Sequence, residues 1–161
     1  MNKKGFTLIE LLVVVSIIGV LTALVMVNFN SARARARDVQ RKSDLDQVKK
    51  ALRMYYNDYG EYPESDDEEG RIIACEGDLV FDWGSQFACG DMVYMKTLPE
   101  DPDPDANYTY EEGATDQDFL LQAALENKSD SDLCESQVHC GTAENEEACD
   151  WDLGWYVVCA D

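Results

Sequence analysis

An α+β fold is predicted for this chain: a long N-terminal helix, apolar in its first half and amphipathic in its second, packed on a small antiparallel β-sheet head stapled by disulfides. Three observations predict it. Residues from Phe6 to about Phe29 form an apolar run of roughly the 20 residues that a helix needs to span a bilayer. Leu45, Val48, Leu52, Tyr55 or Tyr56, and Tyr59 then recur at spacings of three and four, which is one helical face. Beyond residue 60 the pattern changes to short apolar stretches between turn residues, and all six cysteines lie there.

In order, the chain divides into a short basic leader (1–5), an apolar helix (6–29), an amphipathic helix (30–60) and an acidic head (61–161). Three interpretations of the apolar run compete. A secretory signal has a core of roughly 7–15 residues and a small-residue cleavage site; this run is longer and lacks such an exit. A plain membrane anchor fits the length but leaves Glu10 among Leu and Ile without a partner, a costly position for a carboxylate in lipid. The third interpretation supplies a partner. A cut after Gly5 places a positive amino terminus at Phe6, and an identical subunit shifted along the stem presents that amine to Glu10. At low dielectric the pair attracts and an unpaired acid is penalised, so Glu10 acts as a register mark.

The residues Lys3-Lys4-Gly5-Phe6-Thr7-Leu8-Ile9-Glu10 resemble the prepilin cleavage site of type IV pilins and type II secretion pseudopilins. The resemblance implies that a membrane prepilin peptidase removes the leader after Gly5 and methylates Phe6. It also implies that the stem enters a filament with Glu10 in its assembly contacts. Many members of that family carry a helix-breaking proline near the lipid exit, where this chain has Val27-Asn28-Phe29-Asn30.

The amphipathic helix follows from Ser31. Asp38 with Lys42 and Asp46 with Lys50 form i,i+4 pairs on its other faces, and Gly60 then Pro63 mark its stop. The basic run Ser31-Ala32-Arg33-Ala34-Arg35-Ala36-Arg37 is expected to be a solvated face just outside the membrane. Short apolar stretches stand at Ile72 to Cys75 and Leu79 to Trp83, and Asp91 to Thr97 is left open between helix and strand. Two to four antiparallel strands are expected, at Tyr108 to Tyr110, Phe119 to Leu125 and Trp155 to Cys159, with a turn at Gly113. The Tyr108-Thr109-Tyr110 strand after Leu98-Pro99-Glu100-Asp101-Pro102 resembles the head of the major pseudopilin and related pilins.

Charge and cysteines bound the function. The net charge is −20, and it is unevenly spread. Ten of the 13 Lys and Arg lie in residues 1–60, whereas 28 of the 33 Asp and Glu lie in residues 61–161. A head this acidic repels nucleic-acid phosphates and anionic headgroups. An even number of cysteines in a small exported domain argues for disulfides. Closure between nearest neighbours costs least chain entropy and would pair Cys75 with Cys89, Cys134 with Cys140, and Cys149 with Cys159. The positive-inside rule points the other way, because Arg33, Arg35, Arg37, Arg41 and Lys42 outnumber Lys3 and Lys4. The cysteines argue for a head outside, and so does the resemblance, which implies that the leader faces a peptidase on the cytoplasmic side.

Little enzymatic chemistry is legible. The chain has one histidine, and no nucleophile with a base that the sequence brings together. Cys134, His139 and Cys140 lack the spacing of a structural zinc site. Asp101, Asp103 and Asp105 offer oxygens at alternate positions, as the start of a calcium loop does, although Ala106 stands where that loop has its glycine. Glu126 to Asp132 is a second oxygen-rich stretch. No cofactor is expected, calcium being the one candidate that these residues offer against a proline-rigid acidic turn and a solvated loop.

The sequence is thus expected to encode a structural subunit of a type IV pilus filament. The alternatives are a major pseudopilin of a type II secretion system and a monomeric membrane-anchored binding domain. Expected partners are identical subunits, the prepilin peptidase, the inner-membrane assembly machinery, and the membrane itself before assembly. The expected location is a single pass in the inner membrane with the head outside, followed by an extracellular or periplasmic filament.

Overall fold

Helix α1, Leu8–Tyr59, is continuous, as expected of a segment with no proline before Pro63. Its end is set by Gly60, at φ +79, whose N–H closes onto the Tyr56 carbonyl at 2.8 Å. The computed structural model describes residues 5–66, 69–75, 79–144, 149 and 154–160; the side chains of residues 24, 25, 27 and 28 also lie outside the description. The basic leader residues Lys3 and Lys4 fall outside it. The helix contributes to two compact units, one ending at Ala36 and the other Arg37–Asp161.

In the first unit the described side chains from Phe6 to Leu21 are exposed on every face. Leu8 is 84% exposed and Leu12 65%. The polar interruptions are satisfied within the helix, Ser16 Oγ donating to the Val13 carbonyl and Thr22 Oγ1 to that of Ile18, each at 2.8 Å. Hydroxyls bonded back to their own backbone present little unmet polarity to an apolar surrounding.

The second unit carries eight described strands in three antiparallel sheets. The first sheet is β1 (Glu64–Asp66), β2 (Arg71–Ala74) and β3 (Leu79–Phe81); the second is the hairpin β4 (Phe87–Cys89) and β5 (Met92–Met95). The third is β6 (Thr109–Glu112), β7 (Phe119–Ala124) and β8 (Trp155–Cys159), in that order. Strand β7 alternates strictly, burying Phe119, Leu121 and Ala123, the period-two pattern of a half-buried strand. These side chains and Tyr110 join Leu45, Val48, Leu52 and Tyr55 of α1 in one core. Of the two candidate tyrosines, Tyr55 is the core residue, 5% exposed, whereas Tyr56 faces outward to bond Gln117.

The α+β class and the long helix are as expected. The head is richer than expected. Strand β1 forms early in the acidic head, β5 lies in the stretch left open and pairs with β4 as a hairpin, and a second helix, α2 (Ser131–His139), forms where no element is expected. Asp130 caps α2 by accepting the Asp132 N–H. This helix closes the edge of the third sheet: Ser136 Oγ accepts from the Val157 N–H at 3.1 Å, and Gln137 Nε2 donates to the Trp155 carbonyl at 2.8 Å. Side chains thus occupy backbone groups that a bare edge strand would offer to another chain.

Helix α2 also corrects the disulfide expectation. Cys75 pairs with Cys89 as expected, but Cys134 pairs with Cys149 and Cys140 with Cys159. Six residues along a helix separate Cys134 from Cys140 by about 9 Å of rise, beyond the roughly 7 Å that a disulfide spans. Each is therefore drawn to a distant partner. Among the described residues no cysteine is free.

Candidate assembly site

At the start of α1, Thr7 and Glu10 satisfy each other. The Glu10 N–H donates to Thr7 Oγ1 at 3.2 Å, while Glu10 Oε2 accepts from the Thr7 N–H at 2.9 Å and from its hydroxyl at 2.7 Å. This is a capping box, and it corrects the expectation that Glu10 lacks a partner in its own chain. The signal, threonine three residues before glutamate, stands in the sequence. Both bonds to the carboxylate fall on Oε2, and Oε1 accepts nothing among the described residues.

Gly5 has no positive φ, and a Cβ built on it meets nothing within 4 Å. Nothing in this fold therefore demands glycine there. If Gly5 is required, the requirement comes from a protein that handles this segment.

In the second unit a cluster of ion pairs ties α1 to the head. Arg41, 1% exposed, donates from Nε and Nη2 to the two carboxylate oxygens of Asp101, both at 2.8 Å. Its Nη1 reaches Asp38 at 2.8 Å and Glu126 at 3.0 Å. Asp38, 2% exposed, also accepts the backbone N–H groups of Glu126 and Asn127, each at 2.9 Å. Arg37 meets Glu126 from outside at 2.5 Å. The Arg37 and Arg41 guanidiniums hold the Glu126 carboxyl down at about 2, and the Asp101 carboxylate helps raise Arg41 above its ordinary value against the opposing effect of burial. Buried charges persist only when paired and hydrogen-bonded, and here the polar groups of the pair are met from several sides.

A second tie lies beside it. Lys42 donates to Asp130 at 2.6 Å and Asp132 at 2.8 Å and sits over the Tyr156 ring, 5.4 Å from its centre.

These contacts revise several expectations. Lys42 pairs with α2 and its cap rather than with Asp38, because Asp38 is taken by Arg41 and two backbone N–H groups. Arg33 and Arg35 are exposed as expected of a solvated face, but Arg37 is an ion-pair partner. The calcium candidates are not gathered around a point. Asp101 is held by Arg41 and accepts the Asp103 N–H, and Asp103 accepts the Asp105 N–H. Among the described residues no group of three or more His, Cys, Asp or Glu is arranged to hold a metal ion. The oxygen-rich stretch from Glu126 to Asp132 takes its cations from α1 instead. Sequence reading missed this tie because its partners lie 60 to 90 residues apart, and no local pattern links them.

A processing motif, an apolar helix exposed on every face, and a disulfide-stapled α+β head define the class of prepilin-type subunits. Residues 1–26 match the family described as the prokaryotic N-terminal methylation motif, and residues 28–130 match type II secretion system protein G. The chain belongs to the protein G family of pilin-like subunits. Among its relatives is the type II secretion system core protein G of Aeromonas hydrophila, 32% identical over 101 residues, which are 63% of this chain and 68% of that one. The type IV wide pilus major component PilA4 of Thermus thermophilus is 44% identical over 61 residues, 38% of this chain and 47% of the relative. The type IV major pilin protein PilA of Myxococcus xanthus is 36% identical over 69 residues, 43% of this chain and 31% of the relative. The matched stretch thus spans about half of the Thermus protein and about two thirds of the Aeromonas one. No solved structure matches the chain. Pilins and pseudopilins are structural subunits, membrane-anchored before they assemble into extracellular or periplasmic filaments. Among the described residues of this chain, no helix is long and apolar enough to cross a membrane; the expected span also includes side chains outside the description.

Proposed function

We propose that this chain is a filament subunit with no reaction of its own. It is held in the inner membrane by residues 6–29 with its head outside, trimmed after Gly5 by a prepilin peptidase, and polymerised through its stem. One observation carries this reading: the N-terminal helix exposes large apolar side chains on every face, from Phe6 at 76% to Phe29 at 50%. A surface of that extent needs lipid or other stems to cover it. Both covers are used in turn, lipid before assembly and sibling stems after it.

Of the two filament systems, the type IV pilus is supported by the C-terminal part of the head. Residues 131–161 lie beyond the protein G match and hold α2, β8 and four of the six cysteines, a build suited to an exposed surface. The second reading, a major pseudopilin, is favoured by the match of residues 28–130 to protein G.

Assembly should depend on Glu10. Glu10→Gln deletes the charge offered to the incoming Phe6 amine, so filament yield should fall greatly while the head still folds and its disulfides form. Expression with the processing enzyme, followed by counting of sheared filaments beside membrane-retained protein, tests this. Wild-type filament numbers would remove Glu10 from the mechanism. Gly5→Val should leave an uncleaved precursor, and normal trimming of that variant would refute the processing assignment. Long surface filaments would support the pilus reading, and filaments seen only with a secretion machine would support the pseudopilin.

A further inference from the structure

Two features remain unused by the assembly site, and they are complementary. The first is cationic. Of the basic residues beyond the leader, Arg37, Arg41 and Lys42 are committed to their own head. Arg33 and Arg35 are exposed. Arg33 lies over the Phe29 ring, 4.5 Å from its centre, and Arg35 makes no ion pair among the described residues.

The second feature is an open cleft of about 780 Å³ on the head, with Glu69, Asp82, Trp83 and Glu100 on its walls. The described cation lining it, Arg71, already faces Asp66, Glu69 and Asp82, the last two at 3.2 and 3.0 Å. Glu100 is exposed and has no ion-pair partner among the described residues. Gly84 leaves room for it: a Cβ there would lie 2.6 Å from a Glu100 carboxylate oxygen. A guanidinium is recognised by an aromatic face together with a carboxylate, and this cleft supplies both kinds of group.

Charge decides the occupant. Residues 61–161 carry 28 acids and three bases, so heads brought side by side repel one another. A homopolymer brings its own counterions, and the leader takes Lys3 and Lys4 away on cleavage. We propose that Arg33 and Arg35 of one copy dock in the cleft formed by Glu69, Asp82, Trp83 and Glu100 on the head of a neighbouring copy. This inference rests on the filament reading above. It assigns that filament a head-to-stem contact in addition to the Glu10 register.

The test uses the full processed chain. Arg33→Glu with Arg35→Glu, and separately Glu69→Lys with Glu100→Lys, should each lower the yield of sheared filaments about tenfold. Combining all four reversals should restore yield to within about twofold of wild type. Independently, chains carrying Arg35→Cys assembled with chains carrying Glu100→Cys should form a reducible cross-linked dimer, which neither variant forms alone. This second measurement decides the matter if a reversal disturbs folding. Wild-type filaments accompanied by no cross-link and no restoration would overturn this docking contact alone. A loss of membrane retention by the arginine reversal, again with no cross-link, would overturn it in favour of a lipid-headgroup role. Failure of the wild-type chain to form filaments would overturn the filament reading and this contact with it.

Discussion

Replacing Arg41 by methionine removes one cation from a nearly dry cluster and leaves its acids behind. The Asp38 and Asp101 side chains are 2% and 1% exposed, and removing one partner of a buried pair typically costs about 3–5 kcal/mol. Three features place this case near the lower end. Asp38 keeps two backbone donors, Glu126 keeps Arg37, and Asp101 keeps the Asp103 N–H. A loss of about 3 kcal/mol follows, or about 12 °C in Tm at roughly 4 °C per kcal/mol for a unit of this size. The assay is urea unfolding of the full chain in detergent with disulfides intact, followed by tryptophan fluorescence; Trp83 packs edge-on against Tyr108 at 5.6 Å. In the double variant with Asp101→Asn, the two costs should fall short of additivity by about 1 kcal/mol or more, because each change removes the same contact. A loss under about 1 kcal/mol with additive effects would show that the cluster does not hold the head to the helix.

Two further outcomes follow from local geometry. Glu126 is held at about 2 against an ordinary 4.5; a depressed carboxyl contributes stability that is complete above the ordinary value and is lost as pH falls from 4.5 through 2. With a side chain 30% exposed, the contribution should be about 1–2 kcal/mol after allowance for screening. Glu126→Gln should flatten that part of the curve of unfolding free energy against pH, and an unchanged slope would count against the pairing. Gly70→Ala should destabilise by about 1–3 kcal/mol, since Gly70 has φ +60 and a Cβ would lie 2.4 Å from Thr109 Cγ2. Thermal unfolding should show Thr109→Ser relieving only the steric share, and full rescue would mean that the backbone conformation costs nothing.

The sequence by itself determined the helix and its division of labour. Periodicity and hydropathy are local signals, so Leu45, Val48 and Leu52 could be read as a buried face without knowing what covers them, while the choice of Tyr55 over Tyr56 came from the packed structure. The processing motif is equally local; the Thr7–Glu10 box has a local signal too, but it was recognised only in the structure. Strand positions from Thr109 to Ala124 were legible because alternation and a turn at Gly113 lie within a short window. The acidic stretches were another matter. Read alone, Asp101, Asp103 and Asp105, or Glu126 to Asp132, suggest a bound cation. Only the tertiary structure shows Arg41 on Asp101, Arg37 and Arg41 on Glu126, and Lys42 on Asp130 and Asp132, brought from 60 to 90 residues away. The disulfides divide the same way. Entropy favours near neighbours in an unstructured chain and correctly pairs Cys75 with Cys89. Once α2 forms, its rigidity holds Cys134 and Cys140 apart, and the partner of each is chosen by where the folded chain places Cys149 and Cys159.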